Sequence, residues 1–130
     1  VIPTNSPTTV AYNQEVYDIG NCYNTSTYTF TAPVGGVYAF SAGINMRAGI
    51  SLATVYYLMT LNISNKLYQT LWDPDCWDAA GAYWQCVVNA SQFMDPGDTA
   101  YIQFWQDAFA SNLTIDNAAG QTYFTGVLIG

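Results

Sequence analysis

The sequence predicts an all-β domain, and three observations carry that prediction. The stretch Asn24–Ala42, NTSTYTFTAPVGGVYAFSA, reads strand, turn, strand: polar residues alternate with Tyr28, Phe30 and Ala32, Pro33 to Gly36 turn the chain, and Tyr38, Phe40, Ala42 and Ile44 then share one face. No window repeats apolar residues at i, i+3, i+4, i+7 for more than about one turn, so amphipathic helices are not expected. Gly and Pro recur at roughly strand-plus-turn spacing, as an all-β chain requires.

Residues 1–8, VIPTNSPT, carry two prolines among polar spacers and read as an extended lead-in or linker to a domain over residues 9–130. Val10, Tyr12 and residues 14–17 suggest a first strand that ends near Asp18, Gly20 and Asn21. After the paired strands, Met46 to Ser51 reads as a Gly-containing break. Val55, Tyr57, Met59, Leu61 and Ile63 then alternate with Tyr56, Leu58, Thr60 and Asn62, and Asn65–Lys66 makes a hairpin turn before Leu67. The tract Trp72–Trp84, WDPDCWDAAGAYW, is too rich in Pro, Gly and Asp for a strand and too aromatic for a featureless loop. Strand character resumes over Val87–Phe93, DPGD at 95–98 is a strong turn, Ala100–Trp105 is a strand, residues 111–120 are the last long loop, and Tyr123–Ile129 closes the chain.

Several of these strands carry large apolar groups on both faces, although a strand in an ordinary sandwich turns one face to water. Such strands need a second partner, and in a chain without helices another copy of the same chain supplies it most economically. Tyr57, Tyr101, Trp105 and Tyr123 are the candidate interface residues.

Composition sets the limits on function. The 130 residues are 51% hydrophobic and 16% aromatic, which excludes disorder and gives enough material for one core. Only 8% are charged, about a third of the usual share, so the surface is wetted by neutral polar groups or hidden against other subunits. The formal charge is −7 and the only bases are Arg47 and Lys66. Two scattered bases cannot replace the counterions of a phosphate backbone, which excludes nucleic acid and anionic membrane surfaces as partners. No apolar run reaches the length of a spanning helix, so no membrane insertion is expected.

There is no histidine, so a nucleophilic triad lacks its usual base, and no enzyme is expected. Three cysteines leave two readings open: Cys76 and Cys86 close the loop between them as a disulfide, or all three, with Cys22, are free thiols. Asp73, Asp75 and Asp78 form the one carboxylate cluster. Turn-forming, solvated aspartates are the plain reading, and Ca²⁺ is the sharper one because it takes hard oxygen ligands. Against calcium, the D-x-D-x-[DN]-G spacing is absent and Trp77 stands where the third ligand belongs. No other cofactor is expected. The same tract is the candidate ligand site: sugar C–H faces stack on Trp72, Trp77, Tyr83 and Trp84, while Asp73, Asp75 and Asp78 accept hydroxyl protons. The competing reading is that these rings pack against the sandwich or a neighbouring subunit. Sequons at Asn24, Asn62, Asn89 and Asn112 imply glycosylation only in a eukaryotic secretory pathway.

Phe30, Pro33, Gly36, Val37, Tyr38 and Phe40 match the pattern F-x-x-P-x-x-G-V-Y-x-F of the C1q domain, which the chain resembles. Tyr17 and Asp18 resemble its frequent Tyr-Asp, Gly97 and Asp98 the Gly-Asp before a late strand, and Phe124, Gly126 and Leu128 its closing F-x-G-x-L. The resemblance implies a ten-stranded antiparallel jelly-roll sandwich of the C1q/TNF-like type, assembling as a compact homotrimer that binds rather than catalyses. The Trp72–Trp84 tract and the scarcity of charge depart from the family. A Tyr-, Asn- and Thr-rich chain nearly free of Lys looks like the head of a phage or viral fibre, placed on a virion surface or otherwise outside the cell. The function expected is adhesion to a cell-surface glycan or protein receptor. The alternatives are a structural subunit of an extracellular filament or shell, its residue 1–14 arm completing a neighbour's sheet, and a secreted C1q-domain lectin.

Overall fold

The computed structural model describes residues 2–13, 18–48, 56–73, 84–106, 113–116 and 120–130. Among them the strands are β1 (Thr8–Thr9), β2 (Tyr23–Asn24), β3 (Thr29–Thr31), β4 (Gly36–Ala48), β5 (Tyr57–Ile63), β6 (Lys66–Trp72), β7 (Trp84–Met94), β8 (Thr99–Gln106), β9 (Thr114–Asp116) and β10 (Tyr123–Leu128). The larger sheet runs β2-β3-β8-β5-β6, with β1 added to β8; the smaller runs β10-β4-β7, with β9 added to β4. Every pairing between strands is antiparallel. The architecture is the ten-stranded, all-β jelly roll.

Strand alternation builds the core directly. Tyr38, Phe40, Ala42, Ile44 and Met46 on β4 face Tyr57, Met59, Leu61 and Ile63 on β5 and Ala100, Ile102 and Phe104 on β8, and all are buried. Phe30 meets Phe40 edge-on at 5.2 Å between ring centroids, and Phe124 stacks on Phe40 at 5.7 Å. The open side of the sandwich, where β6 and β7 are both edges, is closed by side chains. Tyr68 Oη donates to Gln92 Oε1 at 2.6 Å, and Thr70 Oγ1 donates to the Val87 carbonyl at 3.1 Å.

The turns follow their residues. Ser64 and Asn65 take φ of 51° and 65°, the left-handed pair of a two-residue hairpin, and Lys66 already belongs to β6. In the 95–98 turn Gly97 has φ 89°, Asp98 N donates to the Asp95 carbonyl, and Asp95 N donates to the Asp98 carboxylate. That same carboxylate accepts from Ser64 Oγ at 2.8 Å, so it ties two neighbouring turns together.

Four local expectations are corrected. The first strand is β1, not Val10 onward: residues 10–13 form no strand, and residues 14–17 lie outside the described residues. Tyr28 turns out of line at φ 59° and leaves Phe30 and Ala32 to point inward. β4 extends into the expected break as far as Ala48, because residues 45–48 contain neither Gly nor Pro, and its register shifts between Met46 and Ala48; residues 49–51 lie outside the described residues. The last long loop carries β9. The lead-in, for its part, is seated on the sandwich. Ile2 and Leu113 exchange backbone hydrogen bonds, and the buried Gln106 amide donates to the Ile2 carbonyl at 2.9 Å.

Candidate functional site

Of the tract singled out for ligand binding, Trp72, Asp73 and Trp84 are described; Asp75, Trp77, Asp78 and Tyr83 lie outside the described residues. Trp72 pairs with Tyr57 and Trp84 with Met46, both on inward-facing registers, and both indoles pack against the core. Both rings are only partly buried, and their contact with the core is the one that the packing reading expects. Asp73 is exposed at the end of β6.

Cys86, opposite Ile44 on β7, is a buried free thiol whose pKa desolvation pushes well above the ordinary 9.0. Of the two cysteine readings, Cys86 follows the free-thiol one; Cys76 lies outside the described residues. Cys22 is a half-buried free thiol. Among the described residues no group of three or more Cys, Asp or Glu is placed to hold a metal ion. The calcium expectation falls largely on Asp75 and Asp78, outside them.

The four candidate interface residues occupy three places. Tyr57 is 0% exposed and packs on Phe104 at 6.0 Å between centroids, so it belongs to the core of its own chain and cannot meet another. Its position on the inward register of β5 is the reason. Tyr101 and Trp105 lie on the outer face of the larger sheet, and Tyr123 lies on the outer face of the smaller one. No single surface joins them.

Strand register shows what each outer face presents. Across β7, β4 and β10 of the smaller sheet, Phe93 and Val37 form one row, continued by Ile129, whose N donates to the Val37 carbonyl. Below it come Ser91–Ala39–Val127, then Asn89–Ser41–Thr125, then Val87–Gly43–Tyr123. Phe93 is 54% exposed, Val127 57% and Ile129 59%. The middle rows are small side chains on a regular ladder, and the charges of this face among the described residues, Arg47 on β4 and Asp116 opposite Asn45 on β9, lie at its far end.

The larger sheet differs. Across β8, β5 and β6 its outer rows are Trp105–Leu58–Leu71, Gln103–Thr60–Gln69 and Tyr101–Asn62–Leu67. A neutral amide-and-hydroxyl row thus lies between two rows with aromatic ends. Gln69 Nε2 donates to Thr60 Oγ1, and Asn62 Nδ2 donates to Tyr101 Oη at 3.0 Å. Sequence reading missed both patterns. The alternation within each strand is visible in the sequence, but the rows depend on register between strands far apart in the chain.

No curated protein matches the sequence. Among solved structures, the globular domain of zebrafish complement 1qA protein superimposes with a TM-score of 0.66 at 16% identity, covering 99% of this chain and 88% of that one. Murine APRIL superimposes with a TM-score of 0.58 at 13% identity, covering 96% and 91%. These likenesses bear on the fold. The C1q domain model matches residues 2–129, nearly the whole chain, and the chain therefore belongs to the C1q domain family.

Proposed function

We propose that this chain is the trimeric head of an adhesive fibre, borne at the tip of a phage or viral fibre, and that it binds a glycan or protein receptor on a cell surface. The observation that carries the reading is the contrast between its two outer sheet faces. One is apolar at its top and made of small residues below, which suits burial against copies of itself. The other carries Trp105 and Tyr101 with a neutral polar row between them, and a threefold joint through the first face leaves it open to a ligand. Family membership agrees with a binding and assembling role rather than a catalytic one. Three identical weak sites on one rigid head gain by avidity.

The arm supports a closed head over an open filament. Residues 2–10 pair with β8 and Leu113 of their own chain, so among the described residues of the arm no strand is left over to complete a neighbour's sheet. The test is binding of the fluorescently labelled intact domain to a panel of bacterial and animal cells, before and after enzymatic removal of surface glycans. Saturable binding to a subset of cells is expected. A folded, assembled domain that binds none of them contradicts the proposal.

A further inference from the structure

The outer face of the larger sheet contains a groove of about 220 Å³, and the proposal built on it deepens the adhesion reading and rests on it. Pro7 walls one side, Trp105 and Leu58 form one end, and Thr60, Gln69 and Gln103 line the floor. We infer that this groove is a binding subsite for one uncharged pyranose ring, the terminal sugar of a neutral glycan.

The chemistry of the wall selects that class. A pyranose presents an apolar C–H face and a rim of hydroxyls that both donate and accept, so its site needs an aromatic plane beside side chains able to do both. Trp105 supplies the plane, held in orientation by Tyr56, whose ring packs on it at 4.9 Å between centroids. Gln103 supplies a half-buried amide with no side-chain hydrogen bond among the described residues. Gln69 is oriented by its bond to Thr60 Oγ1 at 3.2 Å, which leaves its carbonyl oxygen as an acceptor. No charged side chain lines the groove, so a carboxylated or sulfated sugar finds no cation to replace its water. The volume suits one ring rather than a peptide segment.

The test uses the intact, ¹⁵N-labelled protein and four probes, the methyl glycosides of galactose, glucose, mannose and N-acetylglucosamine, with methyl N-acetylneuraminide as the charged control. At least one neutral glycoside is expected to shift the Trp105 indole N–H and the side-chain amides of Gln69 and Gln103, while the charged control shifts none. Trp105→Ala and Gln103→Leu are each expected to lower that affinity by about tenfold. If Trp105→Ala fails to fold, the shifts in the wild-type protein and the Gln103→Leu titration carry the test. A glycoside that shifts other residues, or binds both variants undiminished, overturns the groove but leaves adhesion standing. So does a domain that binds cells yet takes none of the neutral sugars. A domain that binds neither cells nor sugars overturns both.

Discussion

Gly43 and Gly126 each lie under an aromatic ring, and the two rings differ in how far they can yield. A Cβ at Gly126 would sit 2.6 Å from Cε1 of the buried Phe40, whereas one at Gly43 would sit 2.5 Å from Cε1 of Tyr123, which is half-exposed and can swing out. Gly126→Ala is expected to destabilise the fold by about 1–3 kcal/mol, and Gly43→Ala by clearly less, in paired denaturant melts. Burial also sets the response to alkali. Desolvation, followed by the neighbouring Tyr23, Tyr123 and Cys86, raises Tyr12 well above its ordinary 10.0, and desolvation does the same to Cys86. Both groups resist ionising in the folded chain and ionise freely in the unfolded one. Their contribution to stability is therefore whole below about pH 9 and is lost as the pH rises beyond it. The melting temperature is expected to fall steadily between about pH 9 and pH 11, and a flat profile would refute the assignment. Phe40 and the Gly126 beside it were legible in the sequence, through alternation and the family pattern. The inward turn of Trp72 and Trp84 was not, because composition marks a tract as aromatic without saying which way a ring at the end of a strand points.

At the scale of elements, the Asp98 carboxylate links the β7–β8 turn to the β5–β6 turn through Asp95 N and Ser64 Oγ. Asp98→Ala removes both bonds and is expected to cost about 1.5–3 kcal/mol, with Asp98→Asn recovering part of it. Ser64→Ala should cost less, since the Asp95 bond survives. Equal losses from all three variants would mean that the carboxylate does not act as the tie. The DPGD turn was plain from its residue types, and its link to Ser64 was not, since it spans 34 positions. Long-range register explains the other misses as well. The strand faces could be read one strand at a time, but only the pairing of β4 with β7 and β10, and of β8 with β5, sorted Tyr57, Tyr101, Trp105 and Tyr123 into a core and two opposite surfaces.

For the whole molecule, the proposed function divides the duties of the two sheets: the smaller would join copies and the larger would meet the receptor. Phe93→Asp and Val127→Asp each place a charge on the outer face of the smaller sheet without entering the core, so both variants should fold yet fail to assemble. Asn89, exposed on the same face, is a sequon whose glycosylation would block the joint, and protein made in a eukaryotic secretory pathway should carry glycan there only on unassembled chains. The most direct measurement is the absolute mass in solution, by light scattering behind a sizing column, of the wild-type chain beside Phe93→Asp and Val127→Asp. A joint through the smaller sheet predicts a sharp wild-type species near three times 14.3 kDa and folded variants at 14.3 kDa. A wild-type monomer, an open-ended ladder of masses, or variants that remain trimeric would contradict the joint through the smaller sheet.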